Sequence, residues 1–286
     1  MPINPAELII REDGSIYHLN LRPEDICDTI ITVGDPERVE RVSQHLDEIY
    51  FKKQSREIVS HKGRIGKTDV LVISTGMGPD NVEIVMTELD ALANINLHTR
   101  EVRDGHHKLS VIRIGTSGSI HSDIKPGSLL ASRTGTGLDS LMEFYPFSPG
   151  KEEAEFAAAL RKHLGFYLQP YHANCSETLM ARFGNGMYEG HTLTCPGFYA
   201  PQGRTLRIPP RNKELLEQLI SFSHGDKALT NIEMETAAMY AFGQMMGHEM
   251  LSLNAIIADR RNGAFADDPH GVIDGLIEHV LERIEE

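Results

Sequence analysis

Cysteine is scarce in this sequence, with Cys27, Cys175 and Cys195 as the whole complement of 286 residues. None stands close to another, so no disulfide framework is expected, and their scarcity suits a reducing, cytoplasmic setting. Neither a CxxC pair nor HExxH occurs, so no zinc site, and no metal of any kind, is expected. No stretch nears the ~20 apolar residues of a membrane helix. The opening MPINPAELIIREDGS lacks the basic flank and apolar run of a signal peptide. Positive charge is also in deficit: 28 Lys and Arg stand against 41 Asp and Glu, a formal net charge of −13. So acidic a surface repels nucleic acid and anionic membranes, and neither is an expected partner. A small anionic substrate would need a local cluster of arginine or lysine.

What is present is an ordinary globular balance, 40% apolar and 24% charged residues, with length enough for a sizeable core. TIITVG (Thr29 to Gly34), DVLVIST (Asp69 to Thr75), LSVIRIG (Leu109 to Gly115), GSLLASR (Gly127 to Arg133) and MLSLNAIIA read as strands. Between them, ERVERVSQHL after Pro36, VEIVMTELDALANI and the closing VIDGLIEHVLERI read as helices. KEEAEFAAALRKHLG and RNKELLEQLISFSHG read as amphipathic helices closed by Gly165 and Gly225. Strands apolar on both faces, alternating with helices, predict an α/β fold with a mixed central sheet flanked by helices. No linker, repeat or low-complexity tract divides the chain, so residues 1–286 are expected to form one domain. The polar LHTREVRDGHHK (Leu97 to Lys108) reads as an exposed insertion, and His106 and His107 within it as solvated loop.

Familiar signatures fail on inspection. GMGPDN has Asn81 where a dinucleotide fingerprint needs its third glycine. GTSGS around Ser117 ends in Ser119 where a nucleophile elbow needs glycine. What remains is a set of arginines and glycines at strand ends, where α/β sheets bind ligands. GDPERV supplies Gly34 and Arg38; RIGTSG supplies Arg113, Gly115 and Thr116. Glycine lets backbone N–H groups approach an anion, threonine adds a hydroxyl, and arginine offers a planar fork matched to phosphate oxygens. Arg38 by itself could equally be a surface charge. Arg113 interrupts the apolar VIRIG and so needs a partner or a ligand. NIEMETAAMYAF (Asn231 to Phe242) sets two carboxylates, Glu233 and Glu235, before an alanine-rich run. Two residues apart in an extended segment, they point to one side. The plainer reading, acidic residues favouring a helix start, suits Glu235 but leaves Glu233 unexplained.

GDPERV, STGMGP, VIRIGTSG and NIEMETAA, in this order and spacing, resemble the nucleoside phosphorylase superfamily from about His18 to Arg260. GFYAPQGR (Gly197 to Arg204) is similar to the signature of its uridine phosphorylases. The resemblance implies reversible phosphorolysis of uridine to uracil and ribose 1-phosphate, with inorganic phosphate as co-substrate and no cofactor. It places phosphate on Gly34, Arg38, Arg113, Gly115 and Thr116, and ribose on Glu233, Met234 and Glu235. It places the base on Phe198, Gln202 and Arg204, with Arg113, Gln202 and Arg204 as the catalytic set. Arg56 and His18 match residues that reach the phosphate and ribose of a neighbouring subunit. A homo-oligomer with shared active sites follows, at least a dimer, with a hexamer as the larger alternative.

One position departs from the pattern. IIADRR carries Asp259, beside Arg260 in the base pocket, where many uridine phosphorylases have asparagine. In bacterial purine nucleoside phosphorylases an aspartate there protonates the base, so purine specificity is the alternative. The tracts Leu97 to Lys108 and MARFGNGMYEGHT differ in length from the short bacterial enzymes and leave dimer against hexamer open. A monovalent cation near Glu57, found in some relatives, is not expected beside so short a GMGPDN loop. Nucleosidases of this fold, which use water, are disfavoured by the arginine cluster. A non-catalytic nucleoside-binding or storage protein is disfavoured by the completeness of the site.

Overall fold

A computed structural model describes residues 2–285. Among them run an eleven-stranded mixed sheet and seven α-helices. The sheet strands are Thr29–Val33 (β1), Glu48–Ser55 (β2), Ile58–Ile65 (β3), Thr68–Ser74 (β4), Ser110–Ser119 (β5) and Leu129–Gly137 (β6). Tyr171–Asn174 (β7), Tyr188–Thr194 (β8), Asn231–Glu233 (β9), Glu249–Asp259 (β10) and Ala264–Phe265 (β11) complete it. The α/β class with a mixed central sheet is thus as the sequence predicts.

The sheet closes on itself over part of its width. β5 pairs in parallel with β10, β10 antiparallel with β6, β6 in parallel with β8, and β8 in parallel with β9. β9 then returns antiparallel to β5 and completes a five-stranded ring. From β5 the sheet continues through β1 and β4 to the antiparallel edge strands β3 and β2. Closure leaves the five ring strands without edges, which secures their backbone hydrogen bonds.

Helices cover the faces. Pro79–Asn94 buries Val82, Val85, Met86, Leu89 and Leu92 at helical spacing. Thr236–Met246 is buried on all sides from Thr236 to Gly243, as an apolar, alanine-rich helix in a core must be. Pro36–Ser43 begins at the carboxyl end of β1 with Asp35 as its N-cap, its side chain accepting from Glu37 N. Lys151–Leu164 ends on Gly165, left-handed at φ 64°, as read from the sequence.

Gly225 differs from expectation. The helix Leu215–Ser221 stops at Phe222, which is extended and buried, and Gly225 (φ +63°) turns a two-residue hairpin between Ser223–His224 and Lys227–Ala228. The polar SHGDK stretch carries turn chemistry that ends the helix early. The segment from Leu97 to Lys108 is exposed apart from Leu97 and Arg100 and is anchored by a short pairing of Ile95–Asn96 with Glu101–Val102. No helix among the described residues is long and apolar enough to cross a membrane.

Candidate active site

The carboxyl ends of β1, β4, β5 and β9 converge on a cavity of about 630 Å³. Its floor is Arg113, only 4% exposed in the middle of β5. The guanidinium folds back over its own strand. A Cβ at residue 115 would lie 1.8 Å from Arg113 Nη1, so Gly115 is the one residue type that leaves room for it. Nη1 donates to Ser252 Oγ and Asn254 Oδ1, each at 3.2 Å. Nη2 donates to Glu235 Oε2 at 2.6 Å and lies 3.2 Å from Glu233 Oε2.

The two glutamates do share one side, yet they do different work. Glu233 Oε2 accepts the backbone N–H groups of Glu235 and Thr236, and Oε1 accepts from Thr194 Oγ1 at 2.5 Å. It therefore satisfies the first turn of the buried helix, which is the helix-start role the sequence suggested for Glu235. Glu235 instead accepts from Arg113 and, through Oε1, from Gly78 N at 2.8 Å. Burial raises its carboxyl above the usual range, while Arg113 pulls the other way. Met234 between them is half-buried and faces the cavity.

On one side of this floor lie Gly34, Arg38 and Thr116. Arg38 has a single hydrogen-bond acceptor among the described residues, Ile114 O at 3.3 Å. Burial and the neighbouring Arg113 both push its guanidinium below its ordinary pKa. Two cations facing one space, one of them with most donors uncommitted, favour an anion between them.

On the other side a loop brings together Phe198, Gln202 and Arg204. Arg204 stacks on Phe198 with its guanidinium carbon 3.7 Å from the ring centroid, and donates to Phe198 O at 2.6 Å and to Gln202 Oε1. Burial, then Arg260, lowers Arg204 to about 10, which leaves it charged at neutral pH. Gln202 is 3% exposed. Arg260 holds the loop from behind: Nη2 donates to Gln202 O at 3.1 Å, and a Cβ at Gly118 would meet its Cγ at 2.9 Å. Nη1 of Arg260 is buried and has no partner among the described residues.

Asp259 is close in sequence but turned away. Its Oδ1 accepts from Arg261 N at 2.9 Å and its Oδ2 from Asn262 Nδ2 at 2.8 Å, and it is not part of the cavity wall. Burial pushes its carboxyl up, but these hydrogen bonds win and hold it below the usual range.

His18 and Arg56 also lie outside the cavity. His18 Nδ1 is 2.6 Å from Glu88 Oε1, and the backbone N–H groups of His18 and Leu19 donate to the same carboxylate. Arg56, held at φ +56°, donates to Tyr17 Oη at 3.1 Å. Tyr17 thus gathers both residues on one surface.

Four further residues line the cavity without a site role expected from the sequence: Ser117, Ile232, Phe265 and Asn81, the last donating to Met77 O. Ser117 and Asn81 carried a signal, set aside with the failed elbow and the failed dinucleotide fingerprint. His106 takes part in more than loop: with Asp90 and His248 it forms a cluster of metal-ligand spacing. The hydrogen bonds do not suit a metal. His248 Nδ1 accepts from Leu109 N, so the hydrogen is on Nε2, which is buried and has no hydrogen-bond partner among the described residues although Asp90 Oδ1 lies 3.1 Å away. His106 Nε2 is committed to Met246 O at 2.7 Å.

A profile of the phosphorylase superfamily matches residues 28–283. A uridine phosphorylase of Thermococcus kodakarensis is 26% identical over 263 residues, 91% of this chain and 83% of that protein. One from Salmonella typhimurium is 30% identical over 256 residues, 86% of this chain and 87% of that protein. The crystal structure of a Trypanosoma brucei nucleoside phosphorylase, described as showing uridine phosphorylase activity, matches with a TM-score of 0.88 at 28% identity. It covers 97% of this chain and 99% of its own.

Proposed function

The chain belongs to the phosphorylase superfamily, and we propose that it is a uridine phosphorylase, a pentosyltransferase that converts uridine and phosphate to uracil and ribose 1-phosphate. One observation carries the choice of base: Gln202, Arg204 and Phe198 face the cavity together, while the Asp259 carboxylate is consumed by the turn behind it. The amide of Gln202 pairs with a uracil carbonyl and N3–H, and Phe198 packs on the ring. A purine phosphorylase would need the Asp259 carboxyl at the base.

Phosphate sits among Gly34, Arg38, Arg113 and Thr116, with Gly115 beneath the Arg113 guanidinium, where it supports the site without lining the cavity. Glu235 accepts from the ribose hydroxyls with lone pairs that Arg113 and Gly78 leave free, and Met234 packs on the sugar. Phosphate attacks C1′ as the glycosidic bond lengthens. The sugar gains cationic character, which the anionic nucleophile stabilises, and the electron pair leaves with uracil. Arg204 must let go of its own loop to meet the carbonyl oxygen on which that charge collects. Neither a covalent intermediate nor a cofactor is required, and residues 1–286 work as one domain.

His18 and Arg56 complete the site of a second copy, so the active form is at least a dimer. Both lie on one surface and outside their own cavity, which supports this division. Unpaired cysteines, two of them buried, support a cytoplasmic location.

Turnover of uridine, thymidine and inosine, each with and without phosphate, tests the proposal. Phosphate-dependent release of uracil is expected. Preference for inosine would transfer the base to Asp259, and base release without phosphate would make the enzyme a hydrolase.

A further inference from the structure

We propose that Ser117 is a fixed hydrogen-bond donor to the nucleobase, oriented by a buried relay of side chains that starts at Arg113. The inference rests on the proposed phosphorolysis of a pyrimidine nucleoside and adds a residue that reads the base.

Each strand of the closed ring contributes a polar side chain to the relay: Arg113 and Ser117 from β5, Asn254 from β10, Ser132 from β6, Thr192 from β8 and Asn231 from β9. All are buried, and Ser132, Thr192, Asn231 and Asn254 are 0% exposed. No water reaches such groups, so their hydrogens must be placed within the chain.

Arg113 sets the direction, because a guanidinium only donates. Its Nη1 turns the oxygen of Asn254 toward itself at 3.2 Å, so the Asn254 amide nitrogen faces Ser132 Oγ at 3.0 Å and donates. Ser132 then holds its own hydrogen for Thr192 Oγ1, 2.6 Å away. Thr192 passes its hydrogen to Asn231 Oδ1 at 2.9 Å, which leaves Asn231 Nδ2 to donate to Ser117 Oγ at 2.9 Å. Turning the Asn231 amide over would strand the Thr192 hydrogen in the core with no acceptor. Thr230 supports the same order: its hydroxyl donates to Asn231 Oδ1 at 2.8 Å and also reaches His191 O at 3.2 Å.

The chain of donors ends in the cavity wall. Ser117 Oγ has accepted its hydrogen bond, and its own hydrogen has no protein acceptor among the described residues. Ser117 lines the cavity on the side of Gln202 and Ile232. It therefore offers a donor to a lone pair of the base. A pyrimidine carbonyl oxygen satisfies it, and a ring N–H presented there is rejected.

The test compares wild type, Ser117→Ala, Ser117→Thr and Thr192→Val on uridine, 2-thiouridine and 4-thiouridine at saturating phosphate. Thiocarbonyl sulfur is the weaker acceptor. Wild type should disfavour one thio analogue by roughly tenfold in kcat/KM, a single hydrogen bond's worth. Ser117→Ala should lose about that factor with uridine and lose the discrimination, with the KM for phosphate unchanged; Ser117→Thr should restore both. Thr192→Val touches no substrate, yet by removing one of the two hydroxyls that hold Asn231 Oδ1 it should weaken the same discrimination in part. Ser117→Ala within twofold of an active wild type, with discrimination intact, overturns this inference alone. A wild type that releases no uracil overturns the functional reading as well.

Discussion

Arg113 and Glu235 meet at 2.6 Å beneath the cavity, and the same guanidinium nitrogen lies 3.2 Å from Glu233. One buried cation thus answers two buried carboxylates. The two glutamates should respond differently to loss of charge. Replacing Arg113 with Met leaves both acids unpaired and should cost about 3–5 kcal/mol of stability. Glu235→Gln keeps the Arg113–Glu233 contact and the acceptor for Gly78 N, so it should leave Tm nearly unchanged while lowering kcat/KM for uridine ~100-fold. Calorimetry and steady-state kinetics on the two variants would separate support of the fold from hold on the ribose. An active Glu235→Gln enzyme would remove Glu235 from the site.

Gly115→Ala tests the platform under Arg113. The added methyl would overlap the guanidinium, whose nearest nitrogen is 1.8 Å from the ideal Cβ position. Arg113 must then leave its place over the strand, and its contacts with Ser252 and Asn254 go with it. The expected result is a rise of ~10-fold or more in the KM for phosphate, together with a loss of ~1–3 kcal/mol from overpacking. An unchanged KM for phosphate would show that Arg113 does not hold the anion.

These relationships also show what the sequence could and could not reveal. Arg113 was conspicuous because a charge inside VIRIG demands compensation, and the glutamates were conspicuous for the same reason. Their division of labour was not legible. It depends on Asn231–Glu233 pairing with β8 and on the helix starting at Thr236, which puts the Glu233 carboxylate over the first backbone N–H groups. Strands β2, β3 and β8 carry polar or charged alternate residues and lack the continuous apolar run that betrays a buried strand. Closure of the ring is a long-range pairing of β10 with both β5 and β6, and no local pattern encodes it. Asp259 looked like a base-side acid because spacing gives position along the strand, whereas the turn that claims its carboxylate lies in the following three residues.

Asp259→Asn follows from that last point. An asparagine keeps one acceptor oxygen for Arg261 N but sets an amide nitrogen against Asn262 Nδ2. The expected effect is a stability loss of about 1 kcal/mol from the turn, with the ratio of kcat/KM for uridine and inosine unchanged. A variant that loses inosine turnover selectively would place this carboxyl at the base.

Arg204→Ala should act chiefly on turnover. Arg204 is bound to Phe198 O and Gln202 Oε1, and its contact with substrate is expected to form mainly as charge develops on the leaving base. Loss of such a donor costs on the order of 100- to 1,000-fold in kcat. The KM for uridine should rise less, through Phe198, which loses its stacking partner. An unchanged kcat with uridine would exclude Arg204 from the chemistry.

Two histidines away from the cavity should govern stability in acid. His172 Nδ1 lies 2.7 Å from Thr136 Oγ1, and His191 Nδ1 2.9 Å from Thr134 Oγ1. Burial, aided by nearby positive charge, lowers His172 to about 3 and His191 to about 4. Their unfolded-state value is about 6.5. Both folded values lie below it, so the unfolded chain binds more protons in the window between. Stability from these groups is complete above about pH 6.5 and is lost as pH falls, through about 4 for His191 and about 3 for His172. Each group fully protonated only in the unfolded chain removes about 1.4 kcal/mol per pH unit. Urea unfolding of wild type and His172→Gln at pH 7, 5 and 4 isolates the His172 share, because carboxylate contributions cancel in the difference. Wild type should lose more stability than the variant on acidification. Parallel curves would mean that His172 is protonated in the folded protein as readily as in the unfolded chain.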